Sequence, residues 1–107
     1  MVAQYNRPGN DLKTRQLAPY DLSLSGERVT DENAKMTFLA PEHPVLNRPN
    51  KITSADFDGW FQERGIYFPN QWDDHFTPIL ACNDPGEQPK TGSLLIAQHG
   101  KGYFVYT

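Results

Sequence analysis

Three imidazoles, one thiol and a scatter of carboxylates are the side chains of this sequence best suited to chemistry, and their spacing limits what that chemistry can be. His43, His75 and His99 never fall at the i, i+4 spacing that brings two ligands to one metal on a helix. Asp73-Asp74-His75 is the nearest thing to a local cluster. Adjacent groups on an irregular segment can hold a divalent ion, but a solvated polar loop is the simpler expectation, and no metal ligand is assigned. Cys82 sits in Ala81-Cys82-Asn83, without the flanking glycines of a Gly-x-Cys-x-Gly nucleophile elbow, so a buried structural thiol is expected. Asp56 and Glu63 are seven apart, two turns along one face of a helix, which is a conceivable acid and base pair. Their simpler roles are a helix cap for Asp56 and, for Glu63 with Arg64, an anchor on neighbouring loops through charge-assisted hydrogen bonds. Gly100-Lys101-Gly102 echoes a phosphate loop but lacks the Walker spacing and a following helix, and reads as a hairpin turn. No catalytic residue is assigned.

Binding is the better prospect. Trp60, Tyr67, Trp72 and Tyr103 can stack on sugars, although four dispersed aromatics also make a core. A ligand surface, if the chain has one, is expected around Trp60, Gln62, Glu63, Arg64, Tyr67 and the loop carrying Asp84 and Glu87, where hydrogen-bonding groups adjoin aromatic faces. No cofactor is implied.

Composition narrows the classes further. A net charge of -3 over 107 residues provides no electrostatic basis for nucleic-acid binding, which needs clustered Lys and Arg. No apolar run approaches the roughly 20 residues of a membrane span, and the N-terminus lacks the pattern of a signal peptide. A soluble chain follows as the expectation, and composition leaves its compartment open. The single cysteine excludes an intrachain disulfide and a thiolate-rich zinc site. Aromatic residues make up 12% of the chain, too many for intrinsic disorder, and must supply much of a single modest core.

The elements that would position these residues are short. Residues 2–5 read as a strand ended by a Pro- and Gly-containing turn at 6–10 and a loop beyond it. Leu22 and Leu24 alternate with polar residues, and Ser25-Gly26-Glu27 looks like the turn of a hairpin returning through Arg28-Val29-Thr30. A brief strand at 36–39 precedes an irregular arm over 41–50, where Pro41, Pro44 and Pro49 preclude regular structure. Thr53 and Asp56 have capping-box spacing, which predicts a helix over 54–64 with Phe57, Trp60 and Phe61 as its apolar stripe and Gly65 as a left-handed stop. Strands are expected at 66–68 and 77–82, and the strongest hairpin at 93–98 and 103–107. Its residues 94–97 and 103–106 are apolar on both alternating faces, as in a sheet covered on both sides. With so little helix to cover it, partners or further sequence are expected to help, and an unpaired strand of this kind favours a homo-oligomer.

Taken together, Pro41-Glu42-His43-Pro44-Val45-Leu46-Asn47, Pro49-Asn50-Lys51-Ile52, the run from Asp56-Phe57 through Gly59-Trp60, Gln62-Glu63-Arg64-Gly65 and Tyr67-Phe68, then Asp84-Pro85-Gly86-Glu87 and Gly100-Lys101-Gly102-Tyr103 with Val105-Tyr106-Thr107 resemble a region C-terminal to the catalytic domain of bacterial PIG-L type deacetylases. The resemblance spans most of the chain. It implies part of a class I glutamine-amidotransferase-like α/β or α+β domain: a small mixed sheet, one amphipathic helix and a C-terminal hairpin. Residues 1–107 would then be one domain, a fragment of a larger accessory unit. The family's zinc-dependent de-N-acetylase motif, Ala-His-Pro-Asp-Asp, is missing from this sequence, so no catalytic or metal residue carries over. The implied function is a non-catalytic accessory or binding module whose partners are the deacetylase domain of the parent chain and a glycan. The alternatives are a small hydrolase using Asp73, Asp74 and His75 or the Asp56 and Glu63 pair, and a structural or oligomerisation unit.

Overall fold

The computed structural model describes residues 1–8 and 18–107. In chain order the strands are β1 (Val2–Ala3), β2 (Leu22–Leu24), β3 (Arg28–Val29), β4 (Thr37–Phe38), β5 (Gly65–Ile66), β6 (Pro69–Trp72), β7 (Phe76–Cys82), β8 (Lys90–His99) and β9 (Gly102–Tyr106). Two 3-10 helices, Pro44–Leu46 and Ser54–Phe57, lie between β4 and β5. Among the described residues no helix is long and apolar enough to cross a membrane.

The apolar runs in the last third of the chain build the centre. β8 and β9 form the expected hairpin, with Leu95 opposite Tyr106 and Ala97 opposite Phe104, closed through Gly100 at a φ of 58°. Extended by β7 and β4 on one side and by β1, parallel to β9, on the other, they make a five-stranded sheet in the order β1-β9-β8-β7-β4. Alternation then divides the side chains. Leu95, Ala97, Phe104 and Tyr106 join Phe76, Leu22 and Ala18 in one core. Ile96, Ile79, Leu80 and Leu46 form another, with Phe38, Phe57 and Val105 packed against it. Two consecutive residues, Ile79 and Leu80, reach the same core because the β7–β8 ladder shifts between Pro78 and Leu80. Proline has no N–H to contribute, and a bulge is where a sheet tolerates one.

Both faces of the sheet are covered by other parts of the chain itself. Leu22, Leu24, Tyr20 and Trp72 lie over the first core, and Met36, Ala40, Val45, Ile52 and Phe57 over the second. The expected shortage of helix is real, and the β2–β6 ribbon, loops and short 3-10 turns do the covering.

Three sequence expectations are corrected. First, the helix over 54–64 ends after one turn. The Thr53 N–H donates to the Asp56 carboxylate at 2.7 Å as the capping motif requires, but Asp58 is already extended and Gly59 turns left-handed at a φ of 69°. The Phe57 carbonyl, which a continuing α-helix would offer to the N–H of residue 61, accepts from Arg64 Nη1 at 2.7 Å instead. Trp60 and Phe61 are consequently 54% and 82% exposed, and only Phe57 of the expected stripe packs inward. Second, Gly65 is no helix stop. It pairs with Val29 inside β5, and a Cβ there would stand 2.7 Å from the Phe68 ring. Third, β2 and β3 do not pair with each other. β2 pairs with β6 and β3 with β5, both antiparallel, so residues 22–29 run against 65–72 as one interrupted ribbon. Ser25 and Phe68 bridge the interruption, the Ser25 N–H and Oγ both donating to the Phe68 carbonyl at 3.0 and 2.7 Å.

The architecture is therefore a mixed sheet with two small ribbons, in place of the expected α/β or α+β unit with an amphipathic helix. Of the expected strands, 2–5 shortens to β1, 36–39 to β4, and 66–68 is replaced by β5 and β6 on either side of Tyr67. The expected turn at 6–10 and the loop after it extend into residues 9–17, outside the described residues.

Candidate functional site

Where the 57–69 segment arches over the end of the sheet, it encloses an apolar cleft of about 220 Å³. Met36, Phe57, Leu80 and Tyr106 supply much of its apolar lining, Trp60, Arg64 and Tyr67 come from the arch, and Cys82, Gly92 and Ser93 come from the sheet.

Each arch residue is held by a specific local feature. Trp60 Nε1 donates to the Glu63 carbonyl at 3.2 Å, which fixes an indole that solvent would otherwise leave free. Arg64 Nε donates to the Ala34 carbonyl at 2.9 Å and Nη1 to that of Phe57, so the guanidinium ties two loops together at the cleft wall. Tyr67 adopts a φ of 62°, a left-handed conformation that is strained for a bulky residue, and its ring meets Tyr5 edge-on at 5.9 Å. That conformation separates β5 from β6 and lets the segment turn over the cleft.

Cys82 is buried, and burial pushes its thiol above the ordinary cysteine value, against the pull of a hydrogen bond with Ser93 Oγ and of the nearby Arg64 and Lys90 charges. A thiol kept protonated is a poor nucleophile. Tyr106 is likewise pushed up by burial, opposed by hydrogen bonding with Asn6.

The residues expected to form one ligand surface are divided by the fold. Trp60, Arg64 and Tyr67 meet at the cleft. Gln62 and Glu63 face away, into an open polar groove with Arg28, Thr30, Asp31, Glu32 and Asn33. Glu63 pairs with Arg28 at 2.5 Å, and the Gln62 N–H donates to Glu32. Glu87 pairs with Lys90 at 2.6 Å, whose ammonium is held above its ordinary pKa by that hydrogen bond. Asp84 has a structural role: its carboxylate accepts from Thr30 N–H, Thr30 Oγ1 and Asp31 N–H at 3.0, 2.9 and 2.8 Å, clasping the loop after β3.

That clasp has a pH signature. Hydrogen bonds from the Thr30 and Asp31 backbone hold the Asp84 carboxyl below its ordinary 3.8. A group depressed in the folded state stabilises fully above the unfolded value and loses its contribution as pH falls through the folded one. Asp84→Asn is therefore expected to lower the urea midpoint at pH 6, with the gap to the parent chain closing as pH falls below 3.8. A gap unchanged at pH 2 to 3 would contradict this.

The acid and imidazole candidates do not assemble. Asp56 is engaged by Thr53 and Glu63 by Arg28, and without the helix their seven-residue spacing no longer puts them on one face. His75 Nδ1 lies 2.5 Å from Asp73 Oδ1, which also accepts the His75 N–H and stays below its ordinary pKa for that reason first. This is a tight local turn, with the imidazole stacked on Tyr20 at 4.0 Å and His99 edge-on to the same ring. Asp74 is exposed beside it. Among the described residues no three His, Cys, Asp or Glu side chains are grouped to hold a metal ion.

Sequence reasoning missed Met36, Gly92, Ser93 and Tyr106 as cleft residues. The usable signal was Gly92, a glycine leading into an apolar strand, which often marks close backbone approach. Comparison with protein-family models finds no matching family, and comparison with curated proteins and with solved structures finds no match either.

Proposed function

We propose that this chain is a non-catalytic accessory or binding module of the kind that accompanies a PIG-L type deacetylase, and that it takes its ligand at the cleft beneath Trp60 and Tyr67. The observation that carries this reading is the pinned, half-exposed Trp60 indole at an apolar cleft. An exposed aromatic held by a hydrogen bond binds with little loss of side-chain freedom, and its face suits the apolar face of an N-acetylated sugar. Glu63 and Asp56 are engaged and the Cys82 thiol is buried, which favours holding a molecule over transforming it.

Titration with an N-acetylglucosamine trisaccharide, followed by Trp fluorescence and amide shifts, tests the proposal. Binding is expected to perturb Gly65, Gly92 and Thr107, and Trp60→Ala to weaken it by about tenfold or more. The same variant should unfold within about 1 kcal/mol of the parent, because Trp60 is a surface side chain. Binding unaffected by Trp60→Ala, or no shifts at the cleft, would remove this reading.

A further inference from the structure

We infer that Tyr5 is a second ligand contact, and that the site takes a chain of N-acetylated sugars with one unit in the cleft and the next against the Tyr5 ring; this rests on the cleft being the ligand site. Volume makes the first step. A cavity of about 150 Å³ admits one benzene, and ordinary ligand sites begin near about 300 Å³. A cleft of about 220 Å³ therefore holds a single ring-sized unit, and the rest of an oligosaccharide must lie outside it.

Backbone geometry shows where. Tyr5 has a φ of 53° and Tyr67 a φ of 62°, so two bulky residues in the left-handed region stand with their rings in contact, centroids 5.9 Å apart. Such a conformation is costly for a side chain of this size and persists only where the surroundings enforce it. For Tyr5 they do so on both sides. Before it, β1 is bonded to β9, the Val105 N–H donating to the Met1 carbonyl at 2.9 Å and the Thr107 N–H to that of Ala3 at 3.1 Å. After it, Asn6 hydrogen-bonds the cleft residue Tyr106. The ring held between these anchors gains little burial in return, being 68% exposed. An aromatic face fixed in water at the rim of a cleft is suited to binding, because little freedom is left to lose. Tyr67 lines the cleft and Tyr5 stands beside it, so aromatic surface runs from the interior to the rim. The two ring planes are inclined by 61°, which turns the Tyr5 face toward a different sugar unit from the one beside Tyr67. Phe61 is more exposed still, yet among the described residues no ring contact ties it to the cleft, and it serves as the control.

The test titrates the whole chain with N-acetylglucosamine and with its trisaccharide, read by amide shifts. Both are expected to shift Gly65, Gly92 and Thr107, and only the trisaccharide to shift Tyr5 and Asn6 as well. The trisaccharide should bind about two- to tenfold more tightly than the single sugar, the increment of one aromatic contact. Tyr5→Ala should remove most of that increment and leave the affinity for the single sugar at the parent value. Tyr5→Phe should keep it, and Phe61→Ala should change neither affinity. If Tyr5→Ala does not fold, the Tyr5 and Asn6 shifts on the parent chain decide. Trisaccharide shifts confined to the cleft, or an increment that is absent, survives Tyr5→Ala or is lost in Phe61→Ala, would overturn the second contact and leave the cleft as a ligand site. A trisaccharide that shifts nothing at the cleft would remove the cleft reading, and this inference with it.

Discussion

Ile79→Ala is expected to reduce the unfolding free energy by about 2–5 kcal/mol, the range for truncating a well-packed aliphatic side chain. Ile79 is fully buried, it lies in the core with Leu46, Leu80 and Ile96, and its carbonyl accepts the Leu39 N–H at 2.9 Å. The bulge in β7 makes collapse around a cavity difficult, since the shifted ladder already places Ile79 and Leu80 side by side. With a total stability of about 5–15 kcal/mol for a domain of this size, the loss is a large fraction of the whole. Urea or thermal unfolding followed by circular dichroism reads the effect. Ile79→Val serves as the graded control at about 0.5–1.5 kcal/mol. A shift below that of the valine variant would mean that the second face of the sheet is loosely packed.

Gly92→Ala is expected to damage fold and site together. A Cβ at this position would stand 2.6 Å from the Pro69 carbonyl oxygen and 3.2 Å from the Trp72 ring. The carbonyl is backbone and cannot rotate away, so β6 must move off β8. Overpacking of this kind costs about 1–3 kcal/mol. Because Gly92 and Pro69 both line the cleft, the displacement also changes its width. The expected result is a lower urea midpoint with an unchanged slope, together with weaker binding of whatever ligand the parent chain takes. Parent-like stability would show that β6 and β8 approach less closely than described; parent-like stability with lost binding would localise the effect to the cleft.

The two large effects fall on different kinds of residue, and the contrast shows what was legible in the sequence. Ile79 stands in an apolar β run, and the β8–β9 hairpin is similarly written in two short apolar runs around a glycine-containing turn, a pattern that depends on neighbours only. The capping box at Thr53 and Asp56 is local too, and it forms. Trp60, Arg64 and Tyr67 were legible as candidate ligand-surface residues from their aromatic and guanidinium chemistry, and the fold brings these three together at the cleft. Gln62, Glu63, Asp84 and Glu87 share that chemistry, but partners tie three of their carboxylates to structural tasks: Arg28 for Glu63, Thr30 and Asp31 for Asp84, and Lys90 for Glu87.

What the sequence by itself determined, then, was the set of short-range patterns: where strands form in 76–106, where one helical turn begins, and which side chains carry charge or an aromatic face. Only the tertiary structure decided that the turn stops after Phe57, that residues 22–29 pair with 65–72, and that Trp60, Arg64 and Tyr67 meet over a cleft. The physical reason lies in the range of the deciding contacts. Arg64 reaches back thirty residues to the Ala34 carbonyl and takes the Phe57 carbonyl from any continuing helix, and such competition depends on which groups the folded chain brings together.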